Sequence, residues 1–429
     1  MSKLRYLLFF QLALIVGVLL VLGLAPRPFH TSLIAWDAEW YSSIRSYGYR
    51  FAPGQKSSTA FFPLFPLLWR LSQLNGIGIS LLNLALAGAA IYLLYKQLHL
   101  RPAAVALFAA LPSCMFLYLP YTEALFFFFS SLMLVLLARQ PRPTWPVAGA
   151  LVGAALTRVT AFFYLPSLVV VEGLEWLRSP ATWPARLQRL VVWGFAIGGS
   201  LIGVVVLQWY STGVWFAFNK AEEAWGHHLQ VPQMPFISTT DNDGALWADG
   251  LALLVGVLCA LWLLRAVYRA VRYPTSPLPD RLLLFAATYL AAMTWQTVSS
   301  APIELGHSSL LSLHRYIFCS PFFLLILNRL LPERALEWRT VLLGLALVLG
   351  VAATLGVFSG KAFDIEWPTS RIPLLWGPVS GLAYLAALLL YTALWLWSGT
   401  RLGRALVYLS SLGLQFFFLY TYTVGHWVG

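Results

Sequence analysis

The sequence predicts an all-α polytopic membrane protein with about 13 transmembrane helices, because apolar runs of roughly 20 residues recur along it and such a run spans a bilayer. Of its 429 residues, 59% are hydrophobic and only 10% are charged, whereas about 25% of an ordinary soluble domain is charged. A soluble fold cannot bury so much apolar surface. The composition therefore excludes a soluble enzyme, a disordered chain and a disulfide scaffold.

The predicted spans leave no room for a separate soluble domain, so residues 1–429 are expected to form a single integral membrane domain. Several spans are short or contain proline, and such pieces are tolerated at membrane depth where they line a cavity in the protein. The first run is too long for a typical signal peptide, so we expect a retained anchor. The apolar runs fall at residues 6–25, 77–95, 102–119, 123–138, 145–157, 159–177, 190–210, 246–264, 282–300, 316–331, 340–358, 374–397 and 405–424.

The distribution of charge predicts the orientation of these helices. Of the 28 lysines and arginines, 18 fall in the N-terminal segment and in every second loop after it, and 11 of the 16 acidic residues fall on the other side. Because positively charged loops remain in the cytoplasm, the N-terminus is expected inside and the C-terminus outside. The long loops of the outer face are then 26–76, 211–245, 301–315 and 359–373.

The net charge of +12 does not indicate a nucleic-acid partner. The basic residues are scattered between apolar runs and form no stripe, so they are better explained as topology signals. The three cysteines, Cys114, Cys259 and Cys319, all lie within apolar runs. A structural disulfide or zinc site is therefore not expected.

The first outer loop carries the segment Trp36-Asp37-Ala38-Glu39-Trp40-Tyr41, in which aromatic residues flank two carboxylates. Aromatic rings commonly line sugar sites, because the apolar face of a pyranose packs on them. A carboxylate held between such rings loses water and can take a proton from a hydroxyl. The alternative is structural, with Asp37 capping a short helix and the rings forming an interfacial belt.

Three other segments place single charges at the ends of apolar runs. Glu123 begins a very apolar run, where an acid is a functional candidate or a favourable charge at a helix N-terminus. Arg158 interrupts the apolar stretch 145–177, and its guanidinium fork suits a carboxylate or a phosphate. His314 and Arg315 precede another run. Arg315 could hold a lipid phosphate, or it could extend its charge to the interface.

The outer loop 211–245 supplies further candidates. Trp225 is expected to face a substrate from an amphipathic outer helix, and His228 is a polar candidate beside it. Glu223 and His227 are spaced i, i+4, but zinc needs three or four ligands. The sequence thus predicts no metal site and no other cofactor, although a divalent metal is conceivable.

Taken together, these segments resemble the PIG-V-like mannosyltransferases, which belong to the GT-C glycosyltransferases and have bacterial members. The resemblance extends in order over most of the chain, and its first two motifs are the more specific. The motifs are Trp36-Asp37-Ala38-x-Trp40-Tyr41 with Gly48-Tyr49, then Phe61-Phe62-Pro63-Leu64-Phe65-Pro66-Leu67, Thr122-Glu123-Ala124-Leu125-Phe126, Thr157-Arg158 and Arg315-Tyr316.

The resemblance implies a GT-C-like fold whose first outer loop carries the catalytic base, which corresponds to Asp37. It implies transfer of a sugar, mannose by analogy, from a polyprenyl-phosphate donor to a lipid- or glycan-linked acceptor, with inversion, and no nucleic-acid partner. A bacterial inner membrane with an outward-facing site is the expected location. The residues expected to bind substrate are Trp36, Glu39, Tyr41, Glu123, Arg158, Trp225, His228, His314 and Arg315.

Two other functions fit parts of the sequence. A flippase or transporter for a lipid-linked sugar would have inverted halves and charged residues near the middle of the membrane, and neither is apparent. A surface-polysaccharide polymerase or ligase would use the same face and rely on histidines such as His227 and His228 in a large outer loop.

Overall fold

The computed structural model describes residues 11–18, 33–234, 236–237, 243–273, 275–304, 306–310, 312–333, 336–354 and 381–429. Within these residues the fold is α-helical, apart from a small hairpin of two-residue strands and an isolated bridge. The predicted outer loop 359–373 and most of the predicted span 6–25 lie outside the described residues.

The helices follow the apolar runs of the sequence. In chain order they are α1 (11–18), α2 (Asp37–Tyr47), α3 (Leu64–Ser72), α4 (Gly76–Gln97), α5 (Pro102–Ala109), α6 (Glu123–Ala138), α7 (Thr144–Thr157), α8 (Tyr164–Arg178), α9 (Trp183–Thr212), α10 (Ala217–Ala224), α11 (Asp243–Arg272), α12 (Arg281–Ser299), α13 (Leu313–Phe318), α14 (Pro321–Leu330), α15 (Trp338–Thr354), α16 (Gly381–Leu396) and α17 (Arg401–Thr423). The strands are β1 (Ile303–Glu304) and β2 (His307–Ser308), which pair antiparallel.

Several helices begin at polar residues whose side chains bind the first free backbone N–H groups. Asn75 accepts from Gly78 N at 2.8 Å before α4, and Asp280 accepts from Leu282 N at 2.9 Å in α12. Ser320 and Thr400 do the same for α14 and α17. Because four N–H groups are unpaired at each helix start, such caps fix where the helices begin.

The described helices confirm a membrane-embedded, α-helical protein. Six helical segments are long and apolar enough to cross a membrane: Gly76–Gln97, Val159–Arg178, Pro180–Thr212, Trp247–Arg272, Arg281–Ser299 and Arg401–Thr423. Four further apolar helices are shorter. A total of 13 spans stays a prediction.

Two predicted spans are broken rather than continuous. The run 102–119 becomes α5 followed by a 3-10 turn at Pro112–Leu117. The run 316–331 is divided between α13 and α14, with Pro321 starting the second helix. Proline has no N–H to donate and its ring clashes with the preceding turn, so a helix stops before it.

The helix α12 extends between two ends of the structure, which we name here. Its 19 residues rise about 28 Å at roughly 1.5 Å per residue. We call the end at Ser299, next to β1 and β2, the hairpin end, and the end at Arg281 the arginine end. At the hairpin end, Gln230 N donates to Ser299 O at 2.8 Å. At the arginine end, Arg281 Nε lies 3.4 Å from Glu175 Oε1.

Segments predicted to share one side of the membrane meet at one end of the structure. At the hairpin end, the first outer loop bonds to the start of α10 through Thr59 and Ala217, and His227 bonds to Ser300. At the arginine end, Arg142 pairs with Glu172. The loops therefore meet in the two groups, inner and outer, that the charge distribution predicts. Their orientation in a membrane remains a prediction.

Small residues allow neighbouring helices to approach closely. A Cβ built on Gly256 of α11 would lie 1.8 Å from Thr294 Oγ1 of α12. Such close contacts are typical of helix pairs in membranes, where packing rather than hydrophobicity holds helices together. A Cβ built in the same way on Gly203 of α9 has no neighbouring atom within 4 Å.

We therefore expect Gly256→Ala to push α11 from α12 and to destabilise the protein by about 1–3 kcal/mol. Gly203→Ala is the matched control, because its methyl group meets open space and alanine favours the helix. Thermal unfolding in detergent measures both. A wild-type unfolding temperature for Gly256→Ala would contradict this packing.

Candidate functional site

Arg315 lies at the centre of a buried cluster of charges. Its Nη2 donates to Asp37 Oδ2 at 2.9 Å, and its Nε donates to Glu123 Oε1. Only 3% of the Arg315 side chain is exposed. One guanidinium therefore joins the start of α2 to the start of α6, and two carboxylates compensate its positive charge.

Arg158 completes this charge cluster, which consists of Asp37, Arg315, Glu123 and Arg158. Its Nη1 donates to the same Glu123 Oε1 at 2.7 Å. Glu123 is 2% exposed, whereas Arg158 is 12% exposed. Glu123 is thus enclosed between the two arginines, and Arg158 keeps an accessible edge.

Each charge lies where a helix begins or is interrupted. Asp37 and Glu123 are the first residues of α2 and α6, where the helix dipole favours a negative charge. Arg158 has extended backbone between α7 and a 3-10 turn, and Arg315 is in the six-residue α13. Interrupted backbone therefore brings the four side chains together.

Backbone strain precedes three helices of this region. Trp36, Phe216 and Ser312 have φ values of 59°, 52° and 69° and come directly before α2, α10 and α13. For residues with a side chain this conformation costs on the order of 1–3 kcal/mol, and it persists where the surrounding structure enforces it. The strain is thus concentrated where the site helices begin.

Aromatic rings surround the Arg315 guanidinium. Its Cζ lies 4.8 Å from the ring centroid of Tyr121, 4.9 Å from Phe116 and 5.6 Å from Trp427. Ring faces attract a cation and exclude water from it. Trp427 also lies 5.4 Å from Trp36, which is 39% exposed.

A second aromatic group connects α2 with the outer loop 211–245. The ring of Trp40 lies 6.1 Å from Trp225 and 5.9 Å from Phe61. Lys56 Nζ lies 4.3 Å from the Trp225 ring. The predicted substrate residues Trp36 and Trp225 thus belong to two aromatic walls that are joined by α2.

Asp37 is the most accessible carboxylate of the charge cluster. Its side chain is 24% exposed. Within the described part of the chain, Oδ2 is bonded to Arg315 and Oδ1 has no hydrogen-bond partner. One oxygen fixes the orientation of the carboxylate, which leaves the other to accept a proton or a hydrogen bond.

The sequence did not single out Glu222 of α10. Burial raises the pKa of Glu222 to about 7, and the negative charge of Asp37 contributes to the rise. Glu222 is therefore close enough to Asp37 for their charges to interact. Two adjacent acids in a loop ordinarily indicate a solvated surface, so only the fold could identify this carboxyl.

The predicted substrate residues Glu39 and Tyr41 lie on different sides of α2. Glu39 is exposed, because two residues along a helix turn a side chain about 200° around the axis, away from Asp37. Tyr41 is 5% exposed, and its hydroxyl lies 3.3 Å from Thr122 Oγ1. Tyr41 packs beneath the site.

His314, also predicted to bind substrate, is fully buried. Its ring nitrogens bond to Ser113 Oγ at 2.7 Å and to Val428 O at 2.9 Å. Burial lowers the pKa of His314 to about 3, so the ring is neutral and Nε2 donates to the carbonyl. His314 therefore positions α13 and the C-terminal segment instead of facing a ligand.

His228 is exposed in the loop that follows α10, next to the half-buried His227. The Nδ1 of His227 bonds to Ser300 O at 3.1 Å. No group of three or more His, Cys, Asp or Glu side chains suited to a metal ion occurs among the described residues.

We expect Arg315→Gln to destabilise the protein by about 3–5 kcal/mol, because it leaves two carboxylates of a buried network without their shared cation. Arg401→Gln, which removes an exposed arginine of α17, is the control and should change stability by less than about 0.5 kcal/mol. Unfolding temperatures in detergent compare the two. Equal temperatures would mean that the bridge contributes nothing.

The raised pKa of Glu222 predicts a pH dependence of stability. The folded protein holds this proton up to about pH 7, whereas the unfolded chain releases it near 4.5. The stabilising contribution is therefore complete at low pH and is lost as pH rises through this window. The unfolding temperature of Glu222→Gln, relative to wild type, should rise across it. A constant difference would contradict the assignment.

No protein-family model, curated protein or solved structure matches this chain.

Proposed function

We propose that this chain is a membrane glycosyltransferase that moves a hexose, mannose by the resemblance of its motifs, from a polyprenyl-phosphate donor to an acceptor hydroxyl at the hairpin end. The observation that carries this proposal is Asp37. It is a partly exposed carboxylate, fixed through one oxygen by a buried arginine, and its chain neighbours Trp36 and Trp40 belong to the two aromatic groups.

The reaction is a single displacement at the anomeric carbon. The free Asp37 oxygen takes the proton of the acceptor hydroxyl as that oxygen forms a bond to the anomeric carbon. The bond from this carbon to the phosphate oxygen breaks, and the polyprenyl phosphate leaves with the electron pair. Attack opposite the leaving group inverts the anomeric configuration. General-base catalysis of this kind contributes roughly 10²–10⁴-fold.

The two arginines have different tasks. Arg158 keeps an accessible edge, 12% of its side chain, and a guanidinium can bind the leaving phosphate through two parallel hydrogen bonds. Arg315 is enclosed between Asp37 and Glu123 and acts as a positioning residue. It fixes the orientation of the base and does not meet the donor.

The aromatic walls supply sugar-binding surface. Trp36 is exposed beside Asp37, and Trp40, about one turn further along α2, forms an edge-to-face pair with Trp225. Large rings offer apolar area at a small entropic cost, which suits the faces of a donor sugar and an acceptor sugar. The lipid tail of the donor would lie between helices, in contact with the bilayer.

Purified protein in liposomes, incubated with polyprenyl-phosphate mannose and a panel of acceptors, tests the proposal. Asp37→Asn should lower transfer at least about 100-fold and keep the fold, because asparagine retains an oxygen that accepts from Arg315. Glu39→Gln is the matched control. It removes a carboxylate from the same helix, but an exposed one, and should keep wild-type transfer.

Two results would overturn the proposal. Wild-type turnover by Asp37→Asn would remove the base from the mechanism. Movement of intact donor across the bilayer without any product would identify a flippase instead of a transferase.

A further inference from the structure

The arginine end carries a groove that the transfer reaction does not use. Two cavities of about 230 and 360 Å³ lie there between the ends of α8, α9, α11 and α12, and Leu278 and Pro279 line both. We call them together the inner groove. It lies at the opposite end of α12 from the hairpin end, roughly 28 Å away along the helix axis.

The lining of the inner groove is strongly basic. Arg265 and Arg269 line the smaller cavity, and Arg178, Arg186 and Arg281 line the larger one. The carboxylates of the lining are Glu175 and Asp280. Five arginines therefore face two acids, one of which, Asp280, is already engaged as the N-cap of α12.

The other acids near the groove are also fully engaged. Glu175 accepts from Arg142 and Arg186, and its Oε1 lies 3.4 Å from Arg281 Nε. Glu172, 1% exposed, pairs with Arg142, Arg186 and Arg189. These carboxylates hold the wall of the groove together and have no capacity left for its remaining cations.

Arg178 is one of the groove arginines whose N–H groups are not all paired. Its Nη2 donates to the carbonyl oxygens of Tyr273 and Ser276. Its Nε and Nη1 are buried, and neither has a hydrogen-bond partner among the described residues. A buried guanidinium N–H without an acceptor is costly, and this edge of Arg178 lacks an acceptor within the described residues.

Exposed tryptophans lie at and beside the inner groove. Trp176 and Trp183 flank the turn between α8 and α9, with ring centroids 5.1 Å apart, and both are about two-fifths exposed. Trp262 lines the smaller cavity and is 38% exposed. Tryptophan is enriched at the headgroup level of a bilayer, so we expect the arginines of the groove at the depth of lipid phosphates.

We propose that the inner groove binds the phosphate group of an anionic membrane lipid. The guanidinium groups of Arg178, Arg265 and Arg269 would supply charge-assisted hydrogen bonds to the phosphate oxygens, and the exposed tryptophans would contact the glycerol and upper acyl region. Basic pockets between helices at one membrane face commonly hold such headgroups.

Native mass spectrometry of the full chain, released from nanodiscs of phosphatidylglycerol and phosphatidylcholine, tests this site. Wild type should retain phosphatidylglycerol in preference to phosphatidylcholine. The double variant Arg265→Gln with Arg269→Gln should bind phosphatidylglycerol about 10-fold more weakly, equivalent to roughly 1.4 kcal/mol. These two arginines are exposed, so the variant should fold.

The matched control is Arg329→Gln with Arg401→Gln, which removes two exposed arginines from other helices and changes the net charge equally. It should retain wild-type lipid binding. Equal losses in both double variants, or no loss in either, would overturn the site. In detergent without lipid, inorganic phosphate tests the other source of the same group. Saturable phosphate binding that only the groove variant loses would confirm the site and identify the free anion as its ligand.

Discussion

The bridge made by Arg315 is the interaction on which the site depends. It joins Asp37 and Glu123, which are 278 and 192 positions away in the sequence. A buried guanidinium is tolerated only while carboxylates compensate its charge, and removal of either partner leaves an uncompensated charge in a medium of low polarity. The same contact therefore fixes α2, α6 and α13 and sets the direction of the Asp37 carboxylate.

The two ends of the structure differ in how their charges are balanced. At the hairpin end, two arginines and two acids balance, and the accessible atoms belong to Asp37 and Arg158. At the arginine end, the acids are engaged in structural ion pairs, and more arginines than carboxylates line the inner groove. The first arrangement suits proton transfer beside a leaving anion, and the second suits retention of an anion at the membrane surface.

Sequence reasoning found the charge cluster because its members are rare residues in an apolar chain. Arg158 interrupts a hydrophobic stretch, and Glu123 and Arg315 lie at the ends of apolar runs, where a charge needs a partner. Asp37 was indicated by the aromatic residues around it. It did not show that Tyr41 and His314 are buried, because residue type does not reveal burial. It could not find Glu222 or Trp427, whose local sequences carry no signal. Their importance comes from contacts with elements far away in the chain.

Composition and the recurrence of apolar runs of roughly 20 residues determined that the protein is helical and lies in a membrane, since a chain with 10% charged residues cannot hide its apolar surface in a soluble fold. The apolar runs also predicted where most helices lie, although not the breaks before Pro112 and Pro321. Only the tertiary structure decided which charges meet, which oxygen of Asp37 stays free and which arginines lack acids. Those outcomes depend on how helices of similar composition pack, and similar composition does not specify their neighbours.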